Sequence, residues 1–157
     1  MKLKRFILDV DGVLNDGMLY WGIDNKPFKA FGTFDHDGLK ILRNYLDIQF
    51  ISADEVGWDI SYSRIVNHMR FPLTLVKERE RYDWVMEQGD RLDTAYMGDG
   101  PYDAKILRDV GMGIAPAQAW RTTKQMANFV TPSAAGHGAV FEACLHIMNK
   151  MRIKYEF

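Results

Sequence analysis

Short apolar segments alternate with amphipathic segments along most of this chain, and that alternation restricts the possible fold more than any other feature. The apolar segments have the length of buried strands, and the amphipathic segments carry apolar residues at helical spacing. Strands are predicted at residues 6–10, 48–52, 73–76, 94–97, 112–115 and 128–130. Helices are predicted at residues 38–46, 58–69, 78–88, 102–110, 118–127 and 139–151. The pattern favours an α/β fold with a doubly wound, Rossmann-like parallel sheet and helices on both faces.

One segment interrupts the alternation between the first strand and the first helix. Residues 18–20 and 27–31 flank Asp24-Asn25, which is typical of a β-hairpin with its turn at those two residues. We define residues 17–32 as the flap and expect it to protrude from the sheet. Because the sequence has no repeat, low-complexity stretch or linker, we expect residues 1–157 to form a single domain.

The charge balance and the single cysteine argue against several classes of protein. Lys and Arg number 20 against 21 Asp and Glu, and a net charge of -1 does not favour a nucleic-acid partner. Cys144 alone can form neither an intramolecular disulfide nor a thiolate zinc cluster. The first apolar run stops at Asp9, too early for a signal peptide, and no stretch approaches the roughly 20 apolar residues that cross a membrane. We therefore expect a cytoplasmic protein with no membrane partner.

Acidic and polar residues follow the predicted strands at the points where the strands end. Asp9 and Asp11 close the first strand, Ser52 closes the second, and Asp99 follows the fourth, with Asp103 shortly after it. Because parallel strands end at one edge of a sheet, and ligands bind at that edge, we expect these side chains to share one crevice.

This set of residue types suits phosphoryl transfer. Crowded carboxylates repel one another unless a divalent cation joins them, and Mg²⁺ prefers oxygen ligands together with a substrate phosphate. One Asp can attack phosphorus and form an aspartyl-phosphate, while a second acid protonates the leaving oxygen and then activates water. The pattern predicts a Mg²⁺-dependent phosphatase with Asp9 as nucleophile and Asp11 as acid/base.

The ordered motifs resemble those of the haloacid dehalogenase superfamily of phosphatases. The motifs are Asp9-Val-Asp-Gly-Val-Leu14, a strand-end Ser, a basic residue, and Gly98-Asp-x-x-x-Asp103. More closely, residues 9–17, Lys29-Ala-Phe31 and Gly136-x-Gly-Ala-Val140 resemble the 3-deoxy-D-manno-octulosonate 8-phosphate phosphatases. The resemblance implies a phosphomonoester hydrolase that acts on a sugar phosphate or a related small phosphate ester.

The resemblance also implies a role for each motif residue. Asp9 would be a metal ligand as well as the nucleophile, and Asp11 would lend its backbone carbonyl to the metal. Asp99 would complete the Mg²⁺ site, and Asp103 would support it. Ser52 would hydrogen-bond the phosphoryl group.

The remaining site candidates are less well defined by the sequence. Ala53 and Gly12 lie beside the motifs as candidate phosphate contacts, and His36 is a candidate substrate contact or an ordinary polar loop residue. A cation after the third strand would neutralise the aspartyl-phosphate. Alignment favours Arg79 and residue type favours Lys77; we favour Lys77 and keep both as catalytic candidates.

The sequence departs from the family pattern where the family carries charge. Gly100 stands where the family usually has a second acid. Asp54, Phe34 and Phe141 stand at or next to positions where the sugar-acid phosphatases have Arg. A substrate carboxylate would lose partners there, so we expect a less anionic substrate than 3-deoxy-D-manno-octulosonate 8-phosphate.

The spacing of the motifs leaves no room for a cap domain, so we expect a capless enzyme. Such a site is open to water or is closed by a neighbouring subunit. The flap carries Tyr20, Trp21, Phe28 and Phe31, more aromatic surface than a lone hairpin usually exposes. The resembling family uses this hairpin to build a tetramer. We expect a homo-oligomer, a tetramer, formed through the flap.

Parts of the sequence also fit two other functions. Gly100 and the missing basic residues fit a catalytically weak module for oligomerisation or protein interaction, whereas Asp9, Asp11, Ser52 and Asp99 argue for an enzyme. A phosphorylated signalling receiver also uses a strand-end Asp with Mg²⁺. Receivers place the acceptor Asp well after the acid pair of the first strand, which does not match this order of motifs.

Overall fold

The structure is a computed structural model that describes residues 2–24 and 28–156. Its centre is a six-stranded sheet whose neighbouring strands all pair in parallel. The strands are β1 Arg5–Asp9, β2 Asp47–Ser52, β3 Leu73–Leu75, β4 Thr94–Met97, β5 Met112–Ala115 and β6 Phe129–Val130. The order β3-β2-β1-β4-β5-β6 confirms the predicted doubly wound topology. From β1 the chain adds strands first on one side and then, from β4, on the other, so the strand order reverses between β1 and β4.

Helices connect the strands. The α-helices are α1 Phe34–Leu42, α2 Trp58–Tyr62, α3 Arg81–Glu87, α4 Ala104–Asp109, α5 Arg121–Met126 and α6 Ala139–Met151. A π-helical segment, Ser63–Met69, continues α2, and a short 3-10 helix, Arg91–Asp93, precedes β4.

Most predicted elements lie where the sequence pattern places them, and α1 shows the largest shift. It begins at Phe34, whereas the pattern predicts a start at Gly38. Gly38 lies inside the helix because α6 packs closely against it: a Cβ at this position would lie 3.0 Å from the Cβ of Cys144. The helix therefore extends through a glycine that the apolar pattern reads as its beginning.

Strand β1 is buried on both of its faces. Phe6 and Leu8 belong to a core cluster with residues of α1 and α6, whereas Ile7 packs into a second cluster with residues of α3 and α4. Helices on both faces are the arrangement expected for a parallel sheet. The residues that follow β1 are consequently held by the best-packed part of the molecule.

The flap is a hairpin with little regular pairing. Two isolated antiparallel bridges, Asn15–Phe31 and Tyr20–Phe28, connect its arms. Residues 25–27, which include one half of the predicted turn and the start of the returning arm, lie outside the described residues.

The connections between strands are short. Between β1 and β2 the described chain contains the flap and α1, and between β2 and β3 it contains α2 with its π-helical continuation. The described residues thus form no cap domain, as predicted. In the same ranges, no helix combines the length and the apolar character needed to cross a membrane.

Candidate active site

The ends of β1, β2 and β4 lie side by side where the strand order reverses. Asp9, the last residue of β1, pairs in register with Ile51, so Ser52 lies beside it at the end of β2. Strand β4 runs along the other side of β1 and leads into the loop that carries Asp99. The topology therefore brings together Asp9, Ser52 and Asp99, as the sequence predicts.

A cavity of about 570 Å³ opens at this edge. Seven of its described lining residues are acidic and two are basic, so the cavity carries a large negative charge. The acids are Asp9, Asp11, Asp54, Glu55, Glu78, Asp99 and Asp103, and the bases are Lys29 and Arg81. Such a lining fits a bound divalent cation, which would offset part of this charge.

Three carboxylates form the deepest part of the cavity. Asp9, Asp99 and Asp103 each offer an oxygen within 4.8 Å of the other two. Burial raises the pKa of Asp9 well above its usual value, although Arg81 opposes the shift. Burial and the charge of Asp103 raise the pKa of Asp99 to about 7. Asp9 and Asp99 resist ionising together, and a hard cation with oxygen ligands, such as Mg²⁺, would stabilise their charged forms.

A buried arginine joins two of these acids. The guanidinium Nη1 of Arg81 lies 2.7 Å from Asp9 Oδ2 and 2.9 Å from Asp103 Oδ1. Arg81 is the first residue of α3, and its side chain is 5% exposed. The arginine thus links the candidate nucleophile to helix α3.

Asp103 already uses both of its oxygens. Oδ1 accepts hydrogen bonds from Arg81 and from the Tyr96 hydroxyl, 2.6 Å away. Oδ2 accepts from the backbone N–H groups of Asp99 and Gly100 at 3.1 and 2.9 Å. With these partners Asp103 shapes the loop after β4, whereas Asp9 and Asp99 are better placed to hold a metal ion.

The structure does not bring Lys77 or Arg79 to this cluster. Both are exposed in the turn before α3, and neither lines the cavity. The basic residue that reaches Asp9 is Arg81, which the sequence analysis missed. A signal was present: Arg81 lies four residues before Val85, and both belong to the buried face of α3.

Asp11 has surroundings unlike those of Asp9. Its Oδ1 accepts hydrogen bonds from Asn15 Nδ2 at 2.8 Å and from Lys29 Nζ at 2.7 Å. Its Oδ2 accepts from the Ser52 hydroxyl at 3.1 Å. The Asp11 side chain is 36% exposed, so a substrate can reach it from the cavity.

Lys29 and Asp54 are two further residues that the sequence analysis did not assign to the site. Lys29 comes from the flap, and its side chain is only 4% exposed. Its ammonium lies 2.9 Å from Asp54 Oδ2. The position of Lys29 in the Lys29-Ala-Phe31 motif was a possible signal, but nothing in the sequence indicated which acids it meets.

Of the other predicted contacts, Ala53 and Gly12 lie at or next to the site, whereas His36 does not line the cavity. Ala53 lines the cavity. Gly12 adopts φ +80°, and a Cβ there would lie 2.1 Å from Asp99 Oδ2, so glycine lets the first motif approach the loop that carries Asp99. His36 does not line the cavity; its ring lies 5.7 Å from that of His68 and 6.2 Å from that of Phe71.

Comparisons with known proteins agree with this fold. Residues 86–143 match a family model described as haloacid dehalogenase-like hydrolase. The chain is 29% identical over 152 residues to the 3-deoxy-D-manno-octulosonate 8-phosphate phosphatase KdsC of Salmonella typhi, covering 90% of this chain and 77% of that protein.

Two solved structures share the architecture. The cobalt-bound deoxy-D-mannose-octulosonate 8-phosphate phosphatase of Haemophilus influenzae is 26% identical, with a TM-score of 0.78, covering 94% of this chain and 88% of that one. The 3-deoxy-D-manno-octulosonate 8-phosphate phosphatase of Yersinia pestis is 26% identical, with a TM-score of 0.82, covering 96% and 83%. The predicted Rossmann-like fold and the predicted resemblance are both confirmed.

Proposed function

We propose that this chain, a phosphatase of the haloacid dehalogenase superfamily, hydrolyses a sugar phosphate or related small phosphomonoester with Mg²⁺ through an aspartyl-phosphate. The observation that carries the proposal is the pairing of Asp9 and Asp11. They are two residues apart at the end of a central strand, yet one is buried beside Arg81 and the other is reachable and held by neutral and cationic donors.

The two acids divide the reaction between them. An Asp9 carboxylate oxygen attacks phosphorus, and the bond from phosphorus to the leaving oxygen breaks as that oxygen takes a proton from Asp11. Asp11 then accepts a proton from water as the water oxygen attacks phosphorus. The Asp9–phosphate bond breaks, releasing inorganic phosphate and restoring both acids.

Mg²⁺ held by Asp9, Asp99 and the Asp11 backbone carbonyl would neutralise charge on the phosphoryl group. The raised pKa values of Asp9 and Asp99 support a cation site at these carboxylates. A relative at 26% identity whose structure is cobalt-bound also supports a divalent metal.

Arg81, rather than Lys77 or Arg79, is the cation that we propose neutralises the aspartyl-phosphate. It lies 2.7 Å from Asp9 Oδ2, where it would offset the charge of the aspartyl-phosphate. Ser52, Ala53 and Gly12 remain predicted phosphate contacts; of the three, Ala53 lines the cavity, whereas Ser52 is buried beside Asp11.

The charge of the cavity supports a substrate less anionic than a sugar-acid phosphate. Both basic residues of the described lining are paired with acids of the site: Arg81 with Asp9, and Lys29 with Asp11. The exposed lining residues Glu55 and Glu78 add negative charge. A carboxylate on the leaving group would meet acids rather than free cations in this lining.

The exposed apolar side chains of the flap support a homo-oligomer, which we propose is a tetramer. Side chains of this size, gathered on one hairpin, are typical of an interaction surface rather than of a monomer. They are Met18, Leu19, Trp21, Ile23 and Phe28. The single domain over residues 1–157 and the cytoplasmic location stay predictions from the sequence.

The test is hydrolysis of a panel of phosphomonoesters, with p-nitrophenyl phosphate, neutral sugar phosphates and 3-deoxy-D-manno-octulosonate 8-phosphate, each with Mg²⁺ and with chelator. We expect Mg²⁺-dependent release of phosphate and a higher kcat/KM for neutral sugar phosphates than for the sugar acid. No turnover of any ester would instead favour the interaction module.

A further inference from the structure

Lys29 is a buried cation whose role the reaction outlined above does not define. It lies on the flap, yet its side chain is 4% exposed and lines the cavity beside Asp11. An ammonium group is costly to remove from water unless acceptors replace its hydration, so its partners indicate its function.

Three segments of the chain supply those partners. The Nζ atom lies 2.7 Å from Asp11 Oδ1, 2.9 Å from Asp54 Oδ2 and 2.8 Å from Ser61 Oγ. Asp11 follows β1, Asp54 follows β2 and Ser61 belongs to α2. An ammonium has three N–H donors, and three acceptors are in place. Lys29 therefore has no donor left over for a substrate phosphate or carboxylate.

The contact with Lys29 helps to fix the orientation of the Asp11 carboxylate. Oδ1 receives two hydrogen bonds, from Lys29 and Asn15, whereas Oδ2 receives one, from Ser52. A carboxylate with its Oδ1 held in this way cannot rotate freely. Oδ2 is then the oxygen with room for the leaving group.

We propose that Lys29 is a positioning residue that orients Asp11 for proton transfer to the leaving group, so that docking of the flap and alignment of the acid/base are one event. The proposal rests on the proposed phosphatase function. Asp54 and Ser61 hold the same ammonium, and Asp54 itself accepts a hydrogen bond from the N–H of Gly57, 3.0 Å from its Oδ1.

The test compares kcat/KM for two esters, because this constant reports the steps up to transfer of the phosphoryl group to Asp9. p-Nitrophenyl phosphate has a good leaving group that needs little protonation. An alkyl phosphate, such as a neutral sugar phosphate, has a poor one that depends on Asp11. A misaligned acid should therefore slow the alkyl ester selectively.

For Lys29→Met we expect kcat/KM to fall about 10²-fold on the alkyl ester, the low end of what general acid catalysis contributes. On p-nitrophenyl phosphate we expect a fall several-fold smaller than that. Equal losses on both esters, or no loss on either, would overturn the proposal. Lys150→Met, which removes an exposed lysine at the end of α6, is the matched control and should leave both values unchanged.

Asp54→Asn provides a second variant if Lys29→Met fails to fold. It weakens the support of the ammonium without touching Asp11, so the same selective loss, of smaller size, is expected. An equal effect on both esters would again overturn the proposal. If the wild-type protein hydrolysed neither ester, the phosphatase function itself would be refuted. That result differs from equal losses in the variants, which would refute only the role of Lys29.

Discussion

Two carboxylates that are neighbours in the sequence are held by opposite parts of this molecule. Asp9 ends a strand buried on both faces and is 5% exposed, and its cation, Arg81, begins helix α3. The Asp11 side chain is 36% exposed, and its cation, Lys29, belongs to a hairpin joined by two isolated bridges. In both cases a buried cation bridges two acids.

The two carboxylates differ in which part of the structure holds them in place. The position of Asp9 follows from the packing of the sheet and α3, so it should be disturbed only together with the core. The orientation of the Asp11 carboxylate depends in addition on Lys29 of the flap, a segment that buries little of its own apolar surface in the described structure. The proposed nucleophile is thus held by the rigid scaffold, whereas the proposed acid/base depends in part on an attached segment.

The largest effect is expected from removing the nucleophile. Asp9→Asn should lower kcat by at least about 10³-fold on every ester, because no other group can form the phosphoryl intermediate. Asp11→Asn should instead lower kcat/KM less on p-nitrophenyl phosphate than on alkyl phosphates, because this constant reports only the steps up to the first phosphoryl transfer. Steady-state kinetics on both ester types measures the contrast, and Asp47→Asn at the start of β2 serves as control. Comparable activity of Asp9→Asn and wild type would show that the buried acid is not the nucleophile.

The second prediction concerns the buried arginine. Arg81→Met leaves Asp9 and Asp103 without their shared cation, and loss of one partner of a buried ion pair lowers the free energy of unfolding by about 3–5 kcal/mol. Arg79→Met, at an exposed position two residues earlier, should change it by less than about 0.5 kcal/mol. Urea denaturation without metal measures both. Phosphatase assays on the same two variants test the catalytic role. If Arg79→Met lost phosphatase activity and Arg81→Met kept it, the cation beside the aspartyl-phosphate would be Arg79, as alignment predicts.

A smaller effect is expected from pH. Burial raises the pKa of Asp99 from 3.8 to about 7, so the folded protein holds a proton that the unfolded chain releases. Its contribution to stability is present below pH 3.8 and is lost as pH rises through about 7. The free energy of unfolding of metal-free protein should therefore fall across that window, and Mg²⁺ should reduce the fall by favouring the charged form.

Denaturation curves over this pH range test the sign. Asp99→Asn should flatten the dependence, whereas Asp37→Asn on the exposed face of α1 should not. An unchanged slope in Asp99→Asn would assign the pH dependence to Asp9 or to another buried acid.

The smallest effect on the folded chain is expected at the flap surface. Trp21→Ser removes an exposed side chain, so the free energy of unfolding of a single chain should change by less than about 0.5 kcal/mol. Sedimentation velocity should nevertheless show smaller species if the flap joins subunits. Leu92→Ser, at an exposed apolar position outside the flap, is the control. Unchanged sedimentation of Trp21→Ser would argue against the flap as the interface.

The sequence predicted the acids of the site because they directly follow strands. Asp9, Ser52 and Asp99 need only the rule that parallel strands end at one edge, so strand prediction was enough to bring them together. Arg81 was missed because its role depends on which face of α3 is turned inward. Lys29 was missed because no local pattern shows that a flap residue reaches an acid 18 positions earlier in the chain.

The sequence by itself determined the doubly wound sheet, the lack of a cap among the described residues 2–24 and 28–156, and the two acids at and after the end of β1, since all of these follow from local apolar patterns and residue order. Only the tertiary structure decided which cations meet those acids. Long basic side chains can reach several places from one backbone position, and burial among acids selects one of them. As a result Asp9 forms an ion pair with Arg81, rather than with Lys77 or Arg79, and Asp11 forms one with Lys29 of the flap.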